Sequence, residues 1–415
     1  MTTNTNTTYD AVIIGAGIGG GALATALARA DKSVLVLEKT AVHRDRVRGE
    51  WIALWGVEEL KNLGLYDDFI AAGGHHLTKH IGYGDHSDPA TAEAAPIPMD
   101  ALIPGIPGPM TIGHPAQCNL LDDLAVKAGA TLLRGVEDFR ITAGSSPCVA
   151  YSHDGAWHEA HCRIIVGADG RGSNVRQQLG IDLQQDAQHH FFSGMLVENI
   201  DGFPEDTQAI GAEGDVHYLV FPQGHGRARL YLGYGTGQPS RLSGEGAQQR
   251  FLDAFRLSCL PYGEAIANGT PAGPCNSYPN QDAWTDAPYA QGAVLIGDAA
   301  GYNDPIIGQG LSITYRDARQ VRDALLANDD WSNPDIFAPY AEERRERCRR
   351  LRFSAKVQSL IENEFGPDAR ARRKRAYERR TADPMLQLPA LATLIGPEKV
   401  PAIAFEDAVL EKLFE

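Results

Sequence analysis

Apolar and polar positions follow different rhythms along this chain, and each change of rhythm marks an element. Ala11 to Ile14 is a short apolar run; it breaks at Gly15, Gly17 and Gly20 and passes into an alanine- and leucine-rich stretch ending near Ala28. A second apolar run, Val34 to Leu37, stops at Glu38. Short runs without polar alternation predict strands buried on both faces, with a helix between them. Apolar residues recur at helical spacing in WIALWGVEELKNLGLYDDFIAAGG (51–74) and in PAQCNLLDDLAVKAG (115–129), and a strand starts at Ala130. Cys148 to His153 and Ala156 to His161 flank Asp154 and Gly155 as a hairpin, followed by a short buried strand from Arg163 to Val166.

From Ile181 to about Asn280 the helical period mostly lapses. Runs such as FFSGMLVENI and HYLVFPQGHGRARLYLGY predict strands, interrupted by one helix near Ala247 to Leu257. The segment from Leu77 to Pro109 is rich in Pro, Gly and His and predicts strand fragments and loops. The buried-strand pattern returns at Ala293 to Ile296, and past Pro339 the stretches EERRERCRRLRFSAK and ARARRKRAYERR predict basic helices.

The first strand, glycine turn, helix and strand make a dinucleotide-binding unit. Gly15 allows a tight turn, Gly17 lets the backbone approach a pyrophosphate, and Gly20 lets the helix lie against the sheet. Ile18 and Gly19 stand at the helix start, where free N–H groups face phosphate. Seventeen residues separate Gly20 from Glu38, which places that carboxylate, with Lys39 beside it, within reach of an adenosine ribose. A carboxylate there repels a ribose 2′-phosphate, so the bound nucleotide is expected to be FAD or NAD.

Because the pattern that opens near residue 11 is completed near residue 295, the nucleotide domain reads as discontinuous. The expected fold class is α/β. A Rossmann-like domain takes 1–76, 110–181 and 282–340, a β-rich substrate domain takes 77–109 and 182–281, and a helical C-terminal segment takes 341–415. A formal net charge of −15 argues against a nucleic-acid partner. The six cysteines have no CxxC spacing and suggest a reduced, cytoplasmic setting. The opening MTTNTNTTYD has no basic region, and neither a signal peptide nor a membrane span is read; its first residues are expected to form a disordered tail.

Three motifs between residues 15 and 310 give the chain a resemblance to the single-component FAD-dependent monooxygenases of the para-hydroxybenzoate hydroxylase type. They are the glycine triplet with Glu38; Gly167-Ala168-Asp169-Gly170-Arg171; and Gly297-Asp298, followed by Pro305, Gly308, Gln309 and Gly310. The resemblance implies that Asp169 and Gly170 serve FAD and a visiting nicotinamide nucleotide. It implies that Asp298 holds the ribityl chain, and that Pro305, Gly308, Gln309 and Gly310 run beside the isoalloxazine before a helix that starts near Leu311. Arg48 stands where relatives have an arginine loop over the flavin, and Gln117 where they often have an arginine facing it.

The implied activity is NADH- or NADPH-driven hydroxylation of an aromatic, phenolic small molecule by O2, through a flavin C4a-hydroperoxide. A base or relay for the phenol would come from the β-rich insert, among His190, His217, Tyr218 and Tyr231; for each of them a packed core or exposed strand position is the competing reading. Arg227 and Arg229 share a strand face, expected to be exposed. His76 and His80 stand four apart without a convincing third ligand, and no metal is expected. The loop from Asp85 to Pro109 is a candidate lid. The arginine-rich C-terminal helix is expected to pack on acidic surface of its own chain or of a sister subunit, which leaves a homodimer open. Two other functions stay open: a flavin-dependent alkene reductase of the geranylgeranyl reductase kind, and a protein that keeps FAD without net redox turnover.

Overall fold

The computed structural model describes residues 7–47, 49–86 and 88–414. The expected N-terminal tail (through residue 6) and Arg48 lie outside the described residues.

In chain order, β1 (Thr7–Ile14) runs through the glycine turn into α1 (Ile18–Ala28) and β2 (Val34–Glu38). After helices at Leu54–Asn62 and Tyr66–Ala71, α2 (His114–Lys127) leads into β3 (Thr131–Arg134). A meander of β4 (Asp138–Thr142), β5 (Cys148–His153) and β6 (Ala156–Gly167) follows. The β-rich region contributes β7 (His190–Glu198), β8 (Thr207–Glu213), β9 (Val216–Gly224) and β10 (Arg227–Tyr234). The chain then returns through β11 (Ala293–Leu295) to α3 (Gly310–Leu326), α4 (Ala338–Glu362) and α5 (Pro367–Ala382).

The first sheet has the order β11-β6-β1-β2-β3, all parallel, with Tyr289–Ala290 antiparallel at one edge and β5 and β4 extending from β6. Val166 stands beside both Ile13 and Val294, so the late strand completes the sheet begun by β1. Every residue of β2 and α1 is buried, and α1 has no polar face because it lies between the sheet and two helices. Small residues permit this: a Cβ on Gly21 would stand 2.8 Å from Leu121 of α2, and one on Gly19 would stand 3.0 Å from Thr314 of α3. The helical spacing read over 51–74 corresponds to two helices, Leu54–Asn62 and Tyr66–Ala71, preceded by a strand. Trp51–Ile52 pairs with Met110–Thr111 as a strand, and Gly64 adopts a left-handed φ of 68° that ends the first helix.

The second sheet orders Thr270–Pro271, β7, β10, β9, β8, Lys79–Gly82 and Ile97–Pro98. Strand alternation gives it two faces. Met195, Tyr218, Val220, Leu230, Leu232 and Tyr234 point to one side, where Phe251 and Phe255 close a separate apolar core. His190, Phe192, His217, Leu219, Phe221 and Tyr231 follow the opposite register, and the apolar ones among them pack into the core shared with the first sheet and its helices. The candidate lid contains a short helix, Pro89–Glu93, and the strand Ile97–Pro98. Part of the basic C-terminal helix meets acidic surface of its own chain, with Arg370 and Arg373 both paired to Asp85. No helix among the described residues is long and apolar enough to cross a membrane.

Candidate functional site

The glycine turn forms a cradle whose parts do different work. Gly15 has φ of 102°, a conformation that disfavours any side chain, and its backbone abuts Ala168 at the end of β6. A Cβ on Gly20 would collide with the carbonyl oxygen of Gly15, so Gly20 is required by the closeness of turn and helix. Gly17 is different: nothing lies within 4 Å of the place its Cβ would occupy. It caps α1, so that open space sits over the free N–H groups of the helix start. Glu38 closes the cradle's rim, accepting a hydrogen bond from Ala16 N at 2.7 Å and two from Thr40. An open glycine at a helix N-terminus beside a fixed carboxylate fits the diphosphate and ribose of a dinucleotide.

A second cradle lies at the start of α3. Gly308 takes φ of 65°, and Gly310 opens α3 with nothing within 4 Å of its Cβ position. Asp298 sits on the turn Gly297–Ala300, a third exposed, and pairs with Arg171 at 3.2 Å. This turn is held from below by a buried ionic cluster that the sequence patterns do not reveal. Asp317 of α3 accepts from Gly297 N at 2.9 Å, from Arg344 at 3.0 Å and from Arg347 at 2.8 Å. Arg344 also donates to the carbonyls of Ala300, Gly301 and Gly297 at 3.0, 2.9 and 3.2 Å. The guanidinium has five donors in a planar fork, which is why one side chain can gather three carbonyls and a carboxylate. Asp317 is fully buried, yet the two guanidinium groups outweigh that burial and hold its carboxyl below the usual range. The only hint in the sequence was a basic helix after the third motif.

Between the two sheets lies an aromatic face. Trp51 packs on Phe221 with ring centroids 5.7 Å apart, and Phe221, Tyr231 and Phe192 follow at 6.2 and 6.4 Å. Gly308 approaches Trp51, so the loop after Pro305 borders this face. His190 and His217 flank Phe192, at 5.2 and 6.0 Å. Both ring nitrogens of His217 and both side-chain polar atoms of Asn363 are buried without a hydrogen-bond partner. Burial, reinforced by His190 and Arg373, pushes the His217 imidazole down to about 3, so it is neutral near pH 7.

Asp304, just before Pro305, joins a half-exposed histidine to a buried one: His189 lies 3.1 Å from one carboxylate oxygen and His190 3.2 Å from the other. Burial opposes its ionisation, but the two histidines outweigh burial and hold Asp304 at about 2. Asp282, which accepts from Asp304 N at 2.9 Å, is pushed up to about 7 by burial and by the Asp304 charge.

Several predicted site residues turn out otherwise. Tyr218 points into the core behind the second sheet, its hydroxyl donating to Tyr83 O at 2.8 Å, and is removed from the site by the alternation that leaves His217 in it. Gln117 is fully buried and satisfied by protein: its amide donates to Gly49 O and Ile112 O, and its oxygen accepts from Tyr315. The Gln309 side chain is likewise taken, by Trp55, Ile307 O and Thr393 O, leaving only its backbone at the start of α3. Asp169 caps the helix after Ser173, accepting from Ser173 Oγ, Asn174 N and Val175 N, so its carboxylate shapes the turn at Gly170. Lys39 is exposed, while Ile18 and Leu311 are buried and can offer a ligand only backbone. Arg229 does not sit on an exposed face: it is 1% exposed and ion-paired with Glu50 and Asp45, tying the second sheet to the loop before Trp51. His76 bonds Tyr66 and Gly108 O, and His80 meets Gln208, so the two do not converge.

Comparison with known proteins agrees with this geometry. Squalene epoxidase 3 of Arabidopsis thaliana is 26% identical over 354 residues, covering 82% of this chain and 65% of that protein. Digeranylgeranylglycerophospholipid reductase 2 of Methanopyrus kandleri is 25% identical over 354 residues, covering 78% of this chain and 79% of the relative. The chain therefore spans just under two thirds of the length of the plant epoxidase. Among solved structures, p-nitrophenol 4-monooxygenase PnpA from Pseudomonas putida DLL-E4 superposes with a TM-score of 0.75 at 18% identity, covering 98% of each chain, and so shares the fold. The family described as FAD binding domain matches residues 8–355, which is most of the chain and includes both cradles. The chain belongs to that FAD-binding family.

Proposed function

We propose that this protein is an FAD-dependent monooxygenase that takes electrons from NADH or NADPH and hydroxylates an aromatic, phenolic small molecule. The observation that carries the reading is the aromatic face of Trp51, Phe192, Phe221 and Tyr231, beside which the polar atoms of His217 and Asn363 have no hydrogen-bond partner, the Glu362 carboxylate standing 3.9 Å from His217 Nδ1. Buried polar groups without partners are costly, about 1–3 kcal/mol each, unless a ligand or water satisfies them. A flat ring carrying a hydroxyl would satisfy both features.

Bound FAD would supply the electron transfer and oxygen activation. The chain's residues would hold it at Gly17, Glu38, Asp298 and the backbone of Gly308 to Gly310. The N-terminus of α3 would offer positive partial charge to the pyrimidine edge of the ring. The β-rich face would exclude water from the substrate. His217, neutral near pH 7, would hydrogen-bond the substrate hydroxyl, and His190, Asp304 and His189 would pass its proton outward to solvent. A cytoplasmic setting belongs to the same proposal, supported by six cysteines that all remain free thiols.

The test is to purify the protein, record its spectrum, and follow NAD(P)H oxidation and O2 uptake with phenols. A yellow protein in which both rates rise together on adding a phenol is expected. Oxidation that accelerates without oxygen uptake would replace this reading with the alkene reductase, which the similarity to the archaeal reductase favours. Flavin absorbance with no substrate-stimulated oxidation would point instead to a non-redox role for FAD.

A further inference from the structure

We propose that Cys148, Glu159 and His161 form a binding site for a divalent cation of the zinc type, on the meander and apart from the flavin site. Cys148 on β5 is the register partner of His161 on β6, and Glu159 precedes His161 by two residues. Alternation puts Glu159 and His161 on the same face of β6, and cross-strand pairing brings Cys148 to that face. A thiol, a carboxylate and an imidazole therefore converge, although ten residues separate Cys148 from Glu159 in the chain and no ligand motif is visible there.

The spacing suits the ion. Cys148 Sγ lies 3.1 Å from Glu159 Oε1, His161 Nε2 lies 3.3 Å from the same oxygen, and the ligand atoms all lie within 4.8 Å of one another. Zinc bonds of about 2.0–2.3 Å at tetrahedral angles place neighbouring ligand atoms roughly 3.3–3.6 Å apart, so small side-chain rotations complete the geometry. A thiolate and a carboxylate balance a dication, and a sulfur, nitrogen and oxygen set selects zinc over calcium or magnesium.

Glu159 is exposed, so the trio is open to water, which would supply the fourth ligand; His161 also lines a neighbouring cavity of about 340 Å³ with Pro147, Arg163 and Asp329. Arg163, next on the same face, is paired with Asp10 and so does not compete for Glu159. The Cys148 thiol donates its proton in a hydrogen bond to Glu159. A bound cation takes the place of that proton and clips β5 to β6 where the meander leaves the parallel sheet.

The test uses the full-length flavoprotein, reduced and treated with chelator, titrated with Zn²⁺ and with Co²⁺ as a spectroscopic probe. One equivalent is expected to bind, with a thiolate-to-cobalt charge-transfer band, and Zn²⁺ is expected to slow alkylation of Cys148 relative to the other cysteines. Cys148→Ser and His161→Ala should each weaken binding by about 100-fold or more, while Glu159→Gln weakens it less because an amide oxygen remains a ligand. Absence of the cobalt band, or Cys148→Ser binding zinc as tightly as the parent, overturns the proposal. Both readouts are independent of flavin chemistry, so failure of this site and failure of the monooxygenase reading are separable.

Discussion

Replacing Arg344 by methionine should cost flavin before it costs the fold. The substitution keeps much of the side chain's bulk but removes the donors that hold the carbonyls of Gly297, Ala300 and Gly301. Asp317 keeps Arg347 and Gly297 N, so it remains charged and paired. Breaking one arm of a buried ionic cluster costs about 3–5 kcal/mol, and the three carbonyls account for much of that. An unfolding entropy of about 2.1 cal/mol/K per residue, over 415 residues, is close to 0.9 kcal/mol/K, so a loss near 4 kcal/mol lowers Tm by roughly 4–5 °C.

The turn those carbonyls belong to carries Asp298, and its loosening should weaken FAD by about tenfold or more, equivalent to about 1.4 kcal/mol or more. The assay is reconstitution of the apoprotein, following quenching of flavin fluorescence, alongside melting curves of apo and holo forms. Arg344→Lys separates the two effects: it restores charge to the Asp317 pair and part of the lost Tm, but an ammonium cannot span three carbonyls, so the flavin defect remains. Parent-like FAD affinity in Arg344→Met, with Tm lowered, would refute the idea that this arginine shapes the turn.

Three further outcomes are expected. Gly17→Val should leave a folded protein that no longer retains FAD, because its side chain enters open space, whereas Gly20→Val should fail to fold because it meets the Gly15 carbonyl; soluble yield and flavin content distinguish them. Arg229→Met should destabilise by about 3–5 kcal/mol, since it strands Glu50, 3% exposed, at the join between the two sheets; denaturant melts report it. Asp282 has a folded pKa of about 7 against an ordinary 3.8, so its contribution is fully present below about pH 4 and is lost as pH rises through 7. Asp282→Asn should therefore gain stability relative to the parent across that window, by at most about 4 kcal/mol, and parallel stability-against-pH curves would count against the assignment.

Much of the nucleotide half could be read directly, because its determinants are local. Gly15, Gly20 and Glu38 act within a single strand-turn-helix-strand unit, and the positions that matter are close in the chain. The hairpin of Cys148 to His161 was legible for the same reason, although β6 proved longer than expected and continues unbroken to Gly167. The side chains of Asp169, Gln117 and Gln309 were not, since a hydrogen-bonding residue near a cofactor motif looks the same whether it faces ligand or protein. Their partners, such as Tyr315 for Gln117 and Thr393 for Gln309, lie far away in the chain.

His217 and Tyr218 were both candidates, but alternation along β9 turns them to opposite faces, and only the packing of the second sheet against the rest of the chain decided which of them lies beside the aromatic face. The same holds for Arg344, an arginine among many on a basic helix until tertiary packing set it under Gly297. The amino-acid sequence by itself determined the glycine cradle, the acid at its rim and the return of the chain near residue 295, because backbone conformation and short-range periodicity impose them. Tertiary structure decided which buried charges are paired and which buried polar atoms are left without a hydrogen-bond partner, because desolvation and hydrogen bonding depend on what is brought alongside.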